Sequence, residues 1–232
     1  MTTAHIDFET RSTLDLKEVG TDNYAKHPTT DVWCMAYAFD DEPVRLWTPW
    51  TPGLPAPKEL LDHIAAGGNV IGHNVAFELA IWNHVMAPRY GWPALDHRQC
   101  KCTMAMAYAM SLPGALDGAA AAVGLEHKKD MRGHRLMLQM CRPRRVDPDG
   151  TVVWWGDDDR LERLFDYCKQ DVEVERELAR RLRPLSAIEQ DLWWLDREIN
   201  QRGVQIDTET VAGALKVVES EKKRLDAEMK RI

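Results

Sequence analysis

The six residues His5-Ile6-Asp7-Phe8-Glu9-Thr10 decide how the rest of the chain is read. In extended backbone, residues two apart share a face, so Ile6 and Phe8 turn to a core while Asp7 and Glu9 stand side by side. Two adjacent anions at the end of a buried strand are costly unless something cationic binds them. The stretch is therefore a strand, over Ala4 to Glu9, whose polar end carries chemistry.

Outward from it, a polar connection leads to Val32-Trp33-Cys34-Met35-Ala36-Tyr37-Ala38-Phe39, whose nearly continuous apolar character suits a buried strand. Asp40-Asp41-Glu42-Pro43 turns the chain into Val44 to Trp47 and predicts a hairpin. After the proline-rich loop Pro49 to Pro57, Leu60, Leu61 and Ile64 have helical spacing until Gly67-Gly68, and Val70-Ile71 makes another short strand. Asn74 is placed to start a helix with Phe77, Ala80, Ile81 and Val85 on one side, ended by Pro88.

The second half reads as helical. Thr103 to Leu125 predicts two short helices broken at Pro113-Gly114, and the basic segment Lys128 to Arg145 carries another around Leu136 to Met140. Asp157-Asp158-Asp159 caps a long helix with Leu161, Leu164, Phe165, Cys168 and Val172 along one face, ended by Pro184. Ser186 and Glu189 form a capping box for a helix running to Arg202-Gly203. Val204 to Ile206 is an extended link, and Asp207 caps a last helix with no stop signal before Ile232, the pattern of a truncated longer chain.

With 232 residues, 44% of them hydrophobic, the chain can bury a full core and fits one domain with an appendage, or two small domains. No apolar run approaches the roughly 18 residues that span a bilayer, and no basic leader precedes the first strand, so the expected place is the cytoplasm. Five cysteines, an odd number with Cys100 and Cys102 close together, fit a reducing compartment better than a disulfide framework. A net charge of -7 argues against coating duplex DNA by counterion release, yet is compatible with a carboxylate-rich site whose bound cations offset it locally.

Further acids complete a constellation with Asp7 and Glu9. Tyr167 and Asp171 are four apart on the long helix and so share a face, and Glu78 lies in the first turns after Asn74. Hard oxygen ligands favour Mg²⁺ or Mn²⁺ over zinc, and two such ions suit a phosphodiester clamp. Taken singly, each residue also has a bland explanation as a strand-edge acid or a solvated helix face.

In chain order, however, they resemble the DEDD exonuclease superfamily, tyrosine subclass. His5-Ile6-Asp7-Phe8-Glu9-Thr10 matches its first motif, Gly72-His73-Asn74-Val75-Ala76-Phe77-Glu78 the second and Tyr167-Cys168-Lys169-Gln170-Asp171 the third. The resemblance implies an α/β, ribonuclease H-like fold over residues 1–185, a mixed sheet of about five strands flanked by helices, with a helical segment over 186–232. It implies that Asp7 bridges two metals, that Glu9 and Asp171 complete the site of the ion activating the nucleophile, and that Tyr167 orients the attacking water. Thr10 matches a position beside the 3' terminus, and Asn74 and Phe77 match substrate-contacting and supporting positions. His73, beside the second motif, either touches substrate or hydrogen-bonds a carbonyl at the strand end. Glu78 departs from the family's usual Asp, and its extra methylene moves the carboxylate by up to ~1.5 Å.

Ala187 to Asp196 and Gln201 to Asp207 resemble the junction after the exonuclease domain in family A DNA polymerases, particularly phage ones. Less specific matches to their middle region are Cys102-Thr103-Met104, Leu112-Pro113-Gly114 and Lys128-Lys129-Asp130 through Cys141-Arg142-Pro143. This implies a proofreading module that removes nucleotides from a single-stranded DNA 3' end, with the rest of a polymerase as its partner. An RNase D-like exoribonuclease shares the three motifs, and a binding module with a vestigial site is the nonenzymatic alternative.

Three other signals are weaker. Lys128, Lys129, Arg132, Arg135, Arg142, Arg144 and Arg145, with Trp154 and Trp155, form either a track for one strand or a solvated face with a hydrophobic anchor. Cys100 and Cys102 with Asp96 and His97 lack the second paired cluster of a zinc site. His134 as the base of a histidine subclass is disfavoured because the third motif has Tyr167 four before Asp171.

Overall fold

The computed structural model describes residues 2–126 and 130–231; Lys128 and Lys129 of the basic stretch, and Ile232, lie outside them. The chain divides into two units, Met1–Arg197 and Glu198–Ile232. The first unit is built on five strands, β1 (Thr3–Arg11), β2 (Asp31–Phe39), β3 (Arg45–Trp47), β4 (Asn69–Gly72) and β5 (Cys100–Cys102), in the order β3-β2-β1-β4-β5. β2 runs antiparallel to both β1 and β3, whereas β4 runs parallel to β1 and to β5. This is the mixed sheet flanked by helices that the resemblance implies.

β1 behaves as its alternation requires. Ala4, Ile6 and Phe8 join Val32, Met35, Tyr37 and Phe39 of β2 in the largest core cluster. That face is covered by α2 (Lys58–Ala65), through Leu60 and Ile64, and by the chain from Leu79 to Met86. The opposite face presents His5, Asp7 and Glu9 beside Ala38, Ala36 and Cys34. On these small residues lies the long helix α8 (Asp158–Arg181), whose Cys168 and Val172 complete a second cluster. Asp157 caps α8, as predicted, by accepting from the Arg160 amide. A shift of register between Glu9 and Thr10 leaves Trp33 of β2 without a partner on β1, the signature of a bulge at the strand's working end. Beyond it, the Arg11 guanidinium stacks among Trp33, Trp50 and Trp154, 4.6, 4.4 and 4.8 Å from their ring centres.

Four local expectations change. The polar connection after β1 contains a helix, α1 (Leu16–Lys26), capped by Asp15 and interrupted at Gly20, whose φ of 75° breaks its periodicity. Asn74 does not open the next helix: it sits at φ 64°, and α3 (Ala76–Ile81) starts two residues later. Pro88 does not end that run either. A π turn, Trp82–Met86, widens the ladder and leads into α4 (Ala87–Tyr90), where Pro88 occupies the first turn and needs no amide, and Gly91 at φ 69° ends it. Cys100-Lys101-Cys102 is the fifth strand.

The middle of the chain supplies α5 (Thr103–Ala109), α6 (Leu116–Ala122), α7 (Met131–Met140) and the small hairpin β6 (Arg145–Val146) with β7 (Val152–Val153). α9 (Ala187–Arg202) begins at the predicted capping box, where Glu189 accepts from the Ser186 amide and Ser186 from the Glu189 amide. Gln190 and Trp194 donate to the Cys100 carbonyl on edge strand β5. In the second unit, α10 (Thr208–Met229) is capped by Asp207 and exposes Val211, Leu215, Val218 and Leu225. No helix among the described residues is long and apolar enough to cross a membrane.

Candidate active site

The two-residue period of β1 and the four-residue period of α8 bring three acids together. Ligand oxygens of Asp7, Glu9 and Asp171 all lie within 4.8 Å of one another. Glu9 is buried, and Asp7 and Asp171 are half-buried at the mouth. Removal from water is the largest cause raising each carboxyl pKa, and neighbouring charge adds to it: Asp171 acts on Asp7, and Asp7 on Glu9. Asp171 is pushed up to about 7, mainly by burial, although the neighbouring Tyr167 hydroxyl opposes the shift.

Glu78, on the first turn of α3, is buried and stands outside this close group. Burial and then the charge of Asp7 raise its pKa, and its Oε2 is buried without a hydrogen-bond partner. Three clustered carboxyl groups, with Glu78 and its orphaned oxygen charge-coupled to Asp7, have the chemistry of a divalent-cation site: oxygen donors only, all with raised pKa values. The residues fit a divalent metal ion.

Tyr167 shares its α8 face with Asp171, one turn before it. Burial, followed by the charges of Asp171 and Glu9, raises its phenol pKa far above the ordinary value, so the hydroxyl stays protonated and acts as a donor.

Thr10, His73, Asn74 and Phe77 line a cavity of about 330 Å³ together with Glu9 and Glu78. Leu14, Tyr24, Met137 and Leu138 are among its other lining residues, with Lys17 and Arg142. Thr10 Oγ1 is 3.0 Å from the Tyr24 hydroxyl, and the Tyr24 and Phe77 rings pack 6.1 Å apart. His73 is held structurally: Nε2 lies 2.8 Å from the Gly114 carbonyl and Nδ1 3.1 Å from Thr103 Oγ1. Because a carbonyl only accepts, Nε2 carries the proton, and burial lowers the His73 pKa. A second cavity of about 300 Å³ lies against Tyr167 and Asp171, and Met137 lines both. His134 faces this second cavity from α7.

Several contributors were not legible as site residues. Cys168 is buried with Sγ 3.4 Å from Asp7 Oδ2 and 3.5 Å from its carbonyl oxygen, so the thiol donates to one or the other. Glu175, one turn beyond Asp171, is buried 2.6 Å from Nδ1 of His5, beneath the acids. Its four-residue spacing from Asp171 was readable; its partner, 170 residues away, was not. Tyr24 lies on the helix that the sequence presents as a polar connection.

The weaker signals resolve structurally. Trp154 packs on Arg11, and Trp155 takes the guanidinium groups of Arg144 and Arg160 at 5.2 Å each. Arg142 pairs with Asp15 and Arg145 with Asp147, so these two, Arg144 and both tryptophans are engaged with the protein itself, whereas Arg132 and Arg135 are exposed on α7. Cys100 and Cys102 are buried in β5, and the close metal-ligand group among the described residues is that of Asp7, Glu9 and Asp171.

No family model matches the chain. A DNA polymerase of Bacillus phage SP02 is 34% identical over 239 residues, an alignment that takes in 100% of this chain and 36% of the polymerase. Among solved structures, the family B DNA polymerase of the hyperthermophilic archaeon Pyrobaculum calidifontis superposes with a TM-score of 0.46 at 15% identity, over 78% of this chain and 24% of that one. Along its whole length, this chain is therefore homologous to a part, about 36%, of a phage DNA polymerase.

Proposed function

We propose that this chain is a metal-dependent 3'→5' exodeoxyribonuclease, the proofreading module of a DNA polymerase, which shortens single-stranded 3' ends to 5'-mononucleotides. The observation that carries this is the convergence of Asp7, Glu9 and Asp171 within 4.8 Å, with Tyr167 one turn before Asp171 on the same face of α8. Homology to a phage DNA polymerase favours DNA over RNA as substrate.

Asp7, Glu9 and Asp171 would hold the cations, with Glu78 contributing from the α3 side. Two divalent cations there supply activation of water and neutralisation of charge on the phosphate. Tyr167, which stays protonated, orients the incoming water through its hydroxyl and does not act as a base. Leu14, Phe77 and Met137 give the terminal base an apolar seat, while Thr10 and Asn74 offer polar contacts to its sugar. His73, engaged with Thr103 and Gly114, supports the cavity wall.

The test is a time course on 5'-labelled single-stranded DNA, with and without Mg²⁺ or Mn²⁺, beside RNA of the same sequence and the Asp7→Ala protein. A metal-dependent ladder on DNA that is absent from the variant is expected. Preferential shortening of RNA would move the assignment to an exoribonuclease. Metal binding without cleavage of either polymer would make the chain a nucleic-acid-end or partner-binding module, with Glu78 in place of the family's Asp as the point of failure.

A further inference from the structure

We infer that Asp130, Gly133 and Arg163 form a positioning device that fixes the Tyr167 ring between α7 and α8. The inference deepens the exonuclease reading and rests on it for its catalytic consequence. Arg163, Tyr167, Asp171 and Glu175 recur every four residues and therefore form one row along α8. Both ends of that row are pinned: Glu175 to His5 on β1, and Arg163 to Asp130 at the head of α7. Tyr167 and Asp171 lie between the pins.

The Asp130 carboxylate does two jobs at once. Its Oδ1 accepts from the Gly133 amide at 2.9 Å, capping α7, while its Oδ2 takes the Arg163 guanidinium and ties that cap to α8. The Gly133 amide first, and then Arg163, hold the Asp130 carboxyl below the usual range, so both bonds are made to a charged acceptor at neutral pH.

Gly133 lets the two helices come this close. A Cβ built there would lie 2.4 Å from Cδ2 of Tyr167 and 2.5 Å from Oδ2 of Asp130. Gly133 is not among the positive-φ glycines, so alanine meets no backbone strain and is the better helix former. The demand for glycine comes from the Tyr167 ring and the cap. A ring packed this closely against α7 has little freedom left, as a group that orients water requires.

The test uses the full chain. Tyr167 is one of five tyrosines, so in fluorotyrosine-labelled protein its ¹⁹F signal is assigned by its loss in Tyr167→Phe. Gly133→Ala is expected to shift that signal and to lower kcat by roughly 10- to 100-fold with little change in KM, the scale at which small misplacements cost rate. In a Tyr167→Phe background, the same substitution should lower kcat by less than about twofold further, because the group it acts through is already disabled. Asp130→Asn, which keeps the cap acceptor and loses the charge, should fall between wild type and Asp130→Ala. An unmoved ¹⁹F signal, or equal losses in both backgrounds, would overturn the device. A wild-type protein that cleaves nothing while Gly133→Ala still moves the signal would sink the exonuclease reading and leave the device standing.

Discussion

Asp171 shows how a single residue couples the site to the stability of the fold. An acid whose pKa is raised by folding is easier to keep protonated in the native state. It is neutral for stability below the unfolded value near 4, and it destabilises progressively as pH rises towards the folded value of about 7. Asp7, Glu9 and Glu78 shift in the same direction, each with burial as the largest cause. Metal-free protein should therefore lose stability as pH rises from about 4 to 7, the window Asp171 sets, by up to about 1.4 kcal/mol per pH unit for each titrating group. Thermal melts in chelator should show Tm falling over that range. Mg²⁺ or Mn²⁺ should restore it, more at pH 8 than at pH 5.5, and Asp171→Asn should flatten the metal-free profile. A wild-type profile that is already flat in chelator would remove the electrostatic account. Glu78 is tested by Glu78→Gln, which keeps shape and removes charge. Loss of roughly 10- to 100-fold in cleavage, without loss of fold, is the scale expected of a group supporting a metal site. Unchanged cleavage would make it a bystander.

α8 reaches the strand acids because β2 offers it only small side chains, Cys34, Ala36 and Ala38, all buried. Ala36 stands directly opposite Asp7 in the antiparallel register, so its methyl group sets the clearance at the point where Asp171 must meet Asp7. Ala36→Leu should cost about 1–3 kcal/mol by overpacking and should also weaken Mn²⁺ binding by moving Asp171 away from β1. Calorimetric Mn²⁺ titration beside a melt separates the two effects, and wild-type metal affinity in a destabilised variant would show that α8 does not set the acid spacing. What the sequence made legible follows the range of each interaction. Asp7 with Glu9, and Tyr167 with Asp171, are spaced by the period of one element, and both pairs were readable. Asp130 with Arg163, and His5 with Glu175, join elements far apart in the chain and carry no local signal. β5 has three residues, too few for alternation to register, and Gly20 breaks the periodicity that would have revealed α1. Pro88 misled because a π turn, which leaves no mark in composition, lets the helical run continue past it.

At the scale of the whole chain, the acids, both cavities that line them and all four hydrophobic clusters are drawn from the first unit. Trp193 on α9 is the last residue to pack against any cluster, with the Arg197 guanidinium 5.6 Å from its ring centre. From Glu198 to Arg231, every described residue is exposed, including Ile199, Val211, Leu215, Val218 and Leu225. Apolar side chains left in water contribute no burial to the stability of this chain, at about 25 cal/mol per Å² forgone. Ending the chain after Arg197 should therefore remove solvent-exposed helix and little stability. The shortened protein should melt within about 2 °C of the full chain, since for a domain of this size each 1 kcal/mol shifts Tm by about 2–4 °C. It should also keep the Mg²⁺-dependent shortening of single-stranded DNA, because every group assigned to that chemistry precedes the cut. Loss of the cooperative melt would mean that the second unit is needed to hold the sheet and its acids in place. Retention of the melt with loss of cleavage would place part of the substrate's path on residues 198–232.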